Sequence, residues 1–209
     1  MMDEKAIFQA LRGMEEEMAE TLCDIARIPA ISPLSGGEGE MKKAAHVEAL
    51  CQKAGFDEVR RYECQSPEGP RPSVVATIHG KDRSRRLWFV AHLDVVPPGD
   101  IGLWKTDPFT PVRKGGRIVG RGVEDNGQDM VASLFALKAI RHLGMEPPVD
   151  LVFLAVADEE TISTYGMKYL LKQKVFRKGD MFVIPDGGSK DGSLIEVAEK
   201  AILWLKVEV

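Results

Sequence analysis

Apolar residues recur at three- and four-residue steps from the start of the chain. Ile7, Leu11, Met14, Met18, Leu22 and Ile25 fall on one stripe, so residues 3–28 are expected to form one amphipathic helix that Pro29 ends. ISPLSGG then reads as a loop, and residues 38–54 as a second helix closed by Gly55. Residues 57–64 and 73–78 have strand character, separated by a turn-rich linker, SPEGPRP. The basic run KDRSRR at 81–86 reads as a solvated turn rather than a phosphate site. LWFVA at 87–91 and VDLVFLAVA at 149–157 are continuous apolar runs of strand length, the pattern of strands buried on both faces. PVRKGGRIV has two short arms around Gly115-Gly116 and predicts a hairpin. Helices are expected over 128–143, ending at Gly144, and over 163–173, with a further strand at 181–184. The terminal AILWLKVEV alternates as a half-buried strand.

Strands alternating with helices predict an α/β fold: a layered, mainly parallel sheet with flanking helices. At 209 residues the chain fits one large domain or two small ones, on the usual scale of about 100–200 residues per domain. Hydrophobic residues make up 44% and charged residues 29%, which excludes a disordered or collagen-like chain. The charge balance of 28 − 32 = −4 disfavours a nucleic-acid partner. No apolar run approaches the roughly 20 residues a membrane span needs. The acidic, amphipathic N-terminus does not read as a secretory leader, and none is expected. Cys23, Cys51 and Cys64 are scattered, without a CxxC spacing, so reduced thiols and a cytoplasmic location are expected.

Four polar clusters each follow a strand or a glycine turn. His92 and Asp94 follow LWFVA, Asp125 lies within GRGVEDNG, Asp158-Glu159-Glu160 follow LVFLAVA, and Asp186 follows MFVIP. Each has a plain alternative: a structural His-x-Asp, a turn or cap residue at Asp125, a solvated helix entry at 158–160, and a turn at Asp186-Gly187-Gly188. Taken together they point elsewhere. The carboxyl ends of parallel strands share one edge, and ligands bind in the crevice there. Several carboxylates packed together repel, and unpaired buried charge is costly. A divalent cation removes that cost. One imidazole among carboxylates suits zinc, cobalt or manganese better than calcium or magnesium. Two such ions about 3.5–4 Å apart form a hydrolytic centre. Asp94, two residues after His92, shares its face in extended chain and is placed to hold the imidazole.

The blocks AHLDVVPPGD, WKTDPF, GRIVGRGVEDNG, LAVADEE and IPDGG, in that order, resemble the metallopeptidase family of acetylornithine deacetylase, succinyl-diaminopimelate desuccinylase and glutamate carboxypeptidase. The resemblance covers roughly residues 5–209. It implies that His92 and Asp186 ligate one metal, Glu160 the other, and Asp125 both. It implies Glu159 as the general base that deprotonates a water bridging two divalent ions, with zinc first and cobalt or manganese as alternatives. Asp94 would orient His92, and the Asp125–Asn126 peptide would be cis. The implied activity is hydrolysis of amide bonds in small N-acyl amino acids or short peptides.

Two departures stand out. The family's Lys-Gly pair after the bridging aspartate is replaced by Asn126-Gly127-Gln128. The family's last metal-ligating histidine follows an inserted dimerisation domain, and His46, His79 and His142 precede or separate the matching blocks. The expected organisation is therefore a catalytic domain over 1–200 and the start of that dimerisation (lid) domain over 201–209. The parent is expected to be a homodimer through that domain, and this chain alone is expected to be inactive. Two other readings stand beside it. One is an incomplete fragment acting as a binding module. The other is a nucleotide-binding α/β protein using the glycines of GGRIVGRG, although these do not form a GxGxxG opening a helix.

Overall fold

A computed structural model of the chain describes residues 3–187, 189, 191, 193–198 and 207. The alternating segment at 201–209 therefore lies, except for Val207, outside the described residues. Among the described residues five α-helices flank the sheet: α1 (Glu4–Gly13), α2 (Glu15–Ala26), α3 (Met41–Lys53), α4 (Asp129–His142) and α5 (Met167–Lys172). The strands are β1 (Glu58–Ser66), β2 (Gly69–Ile78), β3 (Asp82–His92), β4 (Val112–Lys114), β5 (Arg117–Val119), β6 (Val149–Val156) and β7 (Met181–Val183). β4 and β5 form the expected hairpin, and Gly115 and Gly116 both take positive φ, as a tight two-residue turn demands.

The main sheet has the order β1-β2-β6-β3-β7. β3 runs parallel to both β6 and β7, and β1-β2-β6 are antiparallel neighbours. Leu87 to His92 lie opposite Leu151 to Val156 in an unbroken parallel register. The apolar runs are buried on both faces. Leu151, Phe153 and Ala155 pack with Val74, Ala76, Leu134 and Phe135 beneath α3 and α4. Val152, Leu154 and Val156 pack on the other face with Val75, Trp88 and Leu170 of α5.

Four local expectations are corrected. The single helix over 3–28 is two helices that break at Met14, where φ −102 and ψ 3 leave the helical region. Gly13 costs helix about 1 kcal/mol relative to alanine. Glu15, Glu16 and Glu17 then supply the negative first turn of a new helix. The SPEGPRP linker is instead the tip of a hairpin, with Ser66 opposite Gly69. Pro70 and Pro72 are tolerated because β6 pairs with β2 only from Val74 onward. The KDRSRR segment is the first half of β3. Arg86 is buried, donating to both Asp180 oxygens at 3.0 and 2.6 Å and lying over the Trp88 ring. The helix expected over 163–173 is confined to α5, because residues 158–166 form a turn.

Candidate metal centre

Parallel pairing of β3 with β6 and β7 brings three strand exits to one edge. His92 closes β3, the Asp158–Glu160 turn follows β6, and Asp186 follows β7. Asp125 reaches the same place from the wide turn before α4. That turn is tight enough to need glycine: a Cβ on Gly127 would collide with the Gly122 carbonyl. The Asp125–Asn126 peptide is cis, as the resemblance implies.

His92 Nδ1 donates to the Asp94 main-chain carbonyl at 2.9 Å, which leaves Nε2 facing the cleft. Nε2 lies 2.9 Å from Asp125 Oδ1, 3.8 Å from Asp186 Oδ1 and 4.0 Å from Glu159 Oε2. Ligand atoms of His92, Glu159 and Asp186 all fall within 4.8 Å of one another, as do those of His92, Asp125 and Glu160. His92, Asp125, Glu159 and Asp186 line one open cleft of about 760 Å³, together with Glu124 and Asp129.

The electrostatics are those of acids crowded without a counter-ion. Burial pushes Glu160 up to about 7, and Asp125, Asp94 and Glu159 add to the push. Burial likewise raises Asp129 to about 6, with Asp186 adding to the shift. Glu159 is raised by burial and by Asp186 and Asp125. Burial opposes a charged His92, but the Asp125 hydrogen bond and the charges of Asp94, Asp186 and Glu159 outweigh it and raise the imidazole to about 9. The His92 bond in turn lowers Asp125. Glu160 Oε1 is buried without a hydrogen-bond partner. An imidazole, several carboxylates and an orphaned carboxylate oxygen are the donor set of a borderline divalent cation, so these residues fit such an ion.

Asp94 has a different geometry from the one expected of it. Its main-chain carbonyl, rather than its carboxylate, holds the imidazole. The fully buried carboxylate accepts the N–H of Glu159 through Oδ1 and that of Glu160 through Oδ2, both at 3.0 Å. Beneath this turn, Arg71 donates from Nε to Glu40 Oε2 at 2.8 Å and lies 3.2 Å from Asp158 Oδ1. Asp158 takes φ 63 and accepts the Tyr165 N–H at 2.8 Å, which fixes the backbone from which Glu159 and Glu160 project.

Sequence reasoning missed Asn126, Asp129 and Glu124, although three acids within VEDNGQD are a readable signal. It also missed Glu40, Arg71 and Lys43, which carry no local signature. His79 lies 3.5 Å from Asp150 at the start of β6, the opposite end of that strand from Glu159, and neither His46 nor His142 lines the cleft.

Residues 88–201 match the model of peptidase family M20/M25/M40. This chain belongs to the M20/M25/M40 peptidase family. It is 38% identical over 205 residues to an uncharacterized metallohydrolase of Methanocaldococcus jannaschii, covering 93% of this chain and 50% of that protein. It is 33% identical over 138 residues to succinyl-diaminopimelate desuccinylase of Paracidovorax citrulli, covering 64% of this chain and 36% of the enzyme. Human carnosine dipeptidase 1 superposes with a TM-score of 0.75 at 25% identity, over 88% of this chain and 41% of the dipeptidase. This M20-family chain thus spans about half the length of the curated relatives it matches over most of its own length. The layered α/β class read from the sequence is the class of its structural neighbours.

Proposed function

We propose that this chain carries most of the catalytic domain of a metal-dependent hydrolase that cleaves the amide bond of small N-acyl amino acids or short peptides. One observation carries the proposal: ligand atoms of five residues from four separate segments lie within 4.8 Å of one another in each of two groups that share His92. The family and two named relatives, a desuccinylase and a dipeptidase, support the substrate range.

In this reading His92 and Asp186 hold one divalent ion, Glu160 the other, and Asp125 both, with zinc as the first candidate and cobalt or manganese as alternatives. Bound ions would supply Lewis-acid activation of water and of the scissile carbonyl. Glu159 takes the proton from the attacking water and returns it to the leaving amine. Asp94 fixes the imidazole through its carbonyl and the Glu159–Glu160 backbone through its carboxylate. Glu124 and Asp129 add negative charge at the cleft and are not assigned as ligands.

The proposal extends to a cytoplasmic protein that dimerises through a segment beyond the catalytic domain. The support is the resemblance and the scattered, unpaired cysteines. Among the described residues no helix is long and apolar enough to cross a membrane. A nucleotide site is poorly served, because Gly115 and Gly116 form a hairpin turn rather than the entry to a helix. The test is a panel of N-succinyl and N-acetyl amino acids and dipeptides, assayed with and without zinc on protein extended to the length of its relatives. Hydrolysis that chelator abolishes and zinc restores is expected. Zinc binding with no hydrolysis across the panel would support the binding-module reading instead.

A further inference from the structure

His92 is the last residue of β3, and its N–H points away from β6. The next residue, Leu93, is the one that donates to the Val156 carbonyl, at 2.7 Å. The other flank of β3 belongs to β7, but that pairing spans only Leu87 to Phe89. The His92 N–H is therefore left beyond the reach of the ladder, in a buried position where an unpaired donor is costly. Asn126 takes the place of the missing strand: its Oδ1 accepts this N–H at 3.0 Å. The same amide donates from Nδ2 to Asp186 Oδ1 at 2.6 Å and to Asp129 Oδ2 at 3.2 Å. Asn126 is 1% exposed, so water does not compete for these bonds.

We propose that Asn126 is a positioning residue of the metal centre, a neutral three-way clamp that fixes His92 and Asp186 as joint ligands of one cation. This rests on the reading of the cleft given above. The residue type follows from the bonds. One face must accept a backbone N–H while the other donates to two carboxylates, and a side-chain amide of this length does both. An aspartate would keep the bond to His92 but face Asp186 and Asp129 with like charge. An alanine would orphan the His92 N–H and free Asp186 to rotate. Groups that orient metal ligands typically contribute about 10–100-fold in affinity.

The test is zinc affinity of the 209-residue chain by chelator competition, with the cobalt(II) absorption spectrum as a second readout. Wild type, Asn126→Ala and Asn126→Asp are compared, and the thermal midpoint of each metal-free protein is recorded. Both variants are expected to bind the first zinc about 10–100-fold more weakly and to show an altered cobalt spectrum. Asn126→Asp, which retains the acceptor to His92, is expected to keep a thermal midpoint nearer to wild type than Asn126→Ala. A merely structural Asn126 would lower the midpoint and leave affinity and spectrum unchanged, and that result overturns the proposal. Unfolding of both variants also overturns it, by making Asn126 a determinant of the fold instead. Failure of the wild-type chain to bind zinc would overturn the reading of the cleft itself, an outcome distinct from either.

Discussion

Arg71 and Glu40 form an ion pair in which neither side chain exposes any surface, with both guanidinium Nε and Nη2 directed at the carboxylate. The pair joins β2 to the residue that precedes α3, and through Asp158 it reaches the turn carrying Glu159 and Glu160. Removing one partner of a buried pair strands the other charge. Glu40→Gln or Arg71→Met is therefore expected to cost about 3–5 kcal/mol, and replacing both by apolar residues of similar volume, which leaves Asp158 without its cation, should cost less than the sum of the two single losses. Urea unfolding of the single and double variants measures this. A double-variant loss equal to the sum of the two single losses would show that the two groups are not coupled and would remove the pair from any account of stability.

Glu159 is expected to matter for turnover and not for metal content. In the metal-loaded, full-length protein, Glu159→Gln should lower kcat by about 10²–10⁴-fold, the typical effect of losing a general acid–base group. Metal analysis of the same sample should give the wild-type stoichiometry. Near-normal turnover would move the role of base to another group in the cleft.

Zinc titration of the 209-residue chain should give one tight equivalent and one weak one. In the proposed assignment the first site would have His92, Asp125 and Asp186, and the second only Asp125 and Glu160. Zinc binding of about 10–16 kcal/mol is shared over four ligands in structural sites, so one missing ligand costs on the order of 3 kcal/mol. That is about a hundredfold in affinity, at roughly 1.4 kcal/mol per factor of ten. Two equivalents of equal affinity, seen by calorimetry, would mean that a residue of this chain completes the second site.

Lys43 should make stability rise with alkaline pH. Burial lowers its amine to about 8, against the favourable charges of Asp94 and Glu40. The unfolded lysine titrates near 10.5, so between about 8 and 10.5 the unfolded chain binds more protons than the folded one. Stability then increases with pH across that window. Cys51 acts in the opposite sense above pH 9, because burial raises its thiol to about 12. The informative quantity is therefore the difference between wild type and Lys43→Met in urea midpoints at pH 8 and pH 10. Wild type should gain on the variant as pH rises; a constant difference would refute the assignment.

The parts of the fold that were legible in the sequence are those with a local signature. The runs at 87–91 and 149–157 are unbroken because both faces of β3 and β6 are covered, and the strand exits carry His92, Glu159 and Asp186 into one cleft. What escaped was set by partners distant in the chain. Arg86 looks like part of a solvated basic run until Asp180, 94 residues on, is placed against it. Arg71 sits between two prolines in what reads as linker, and only the approach of Glu40 makes it core. Asn126 has no periodic or compositional mark, because its three bonds reach β3, α4 and the segment after β7. The break at Met14 was readable, had three successive glutamates been weighed as a helix start rather than as a polar face.

The parallel register of β3 with β6 and β7 also governs when the cleft comes into being. Parallel neighbours must be joined by long excursions, so His92, Glu159 and Asp186 meet only after loops of many residues have closed, and such closures come late in folding. The hairpins β1-β2 and β4-β5 assemble from neighbouring residues and contribute none of these groups. A metal ion present from the first moment of refolding would thus find no complete binding place until the sheet's central seam has zipped shut. Its uptake would serve as a clock for that last event.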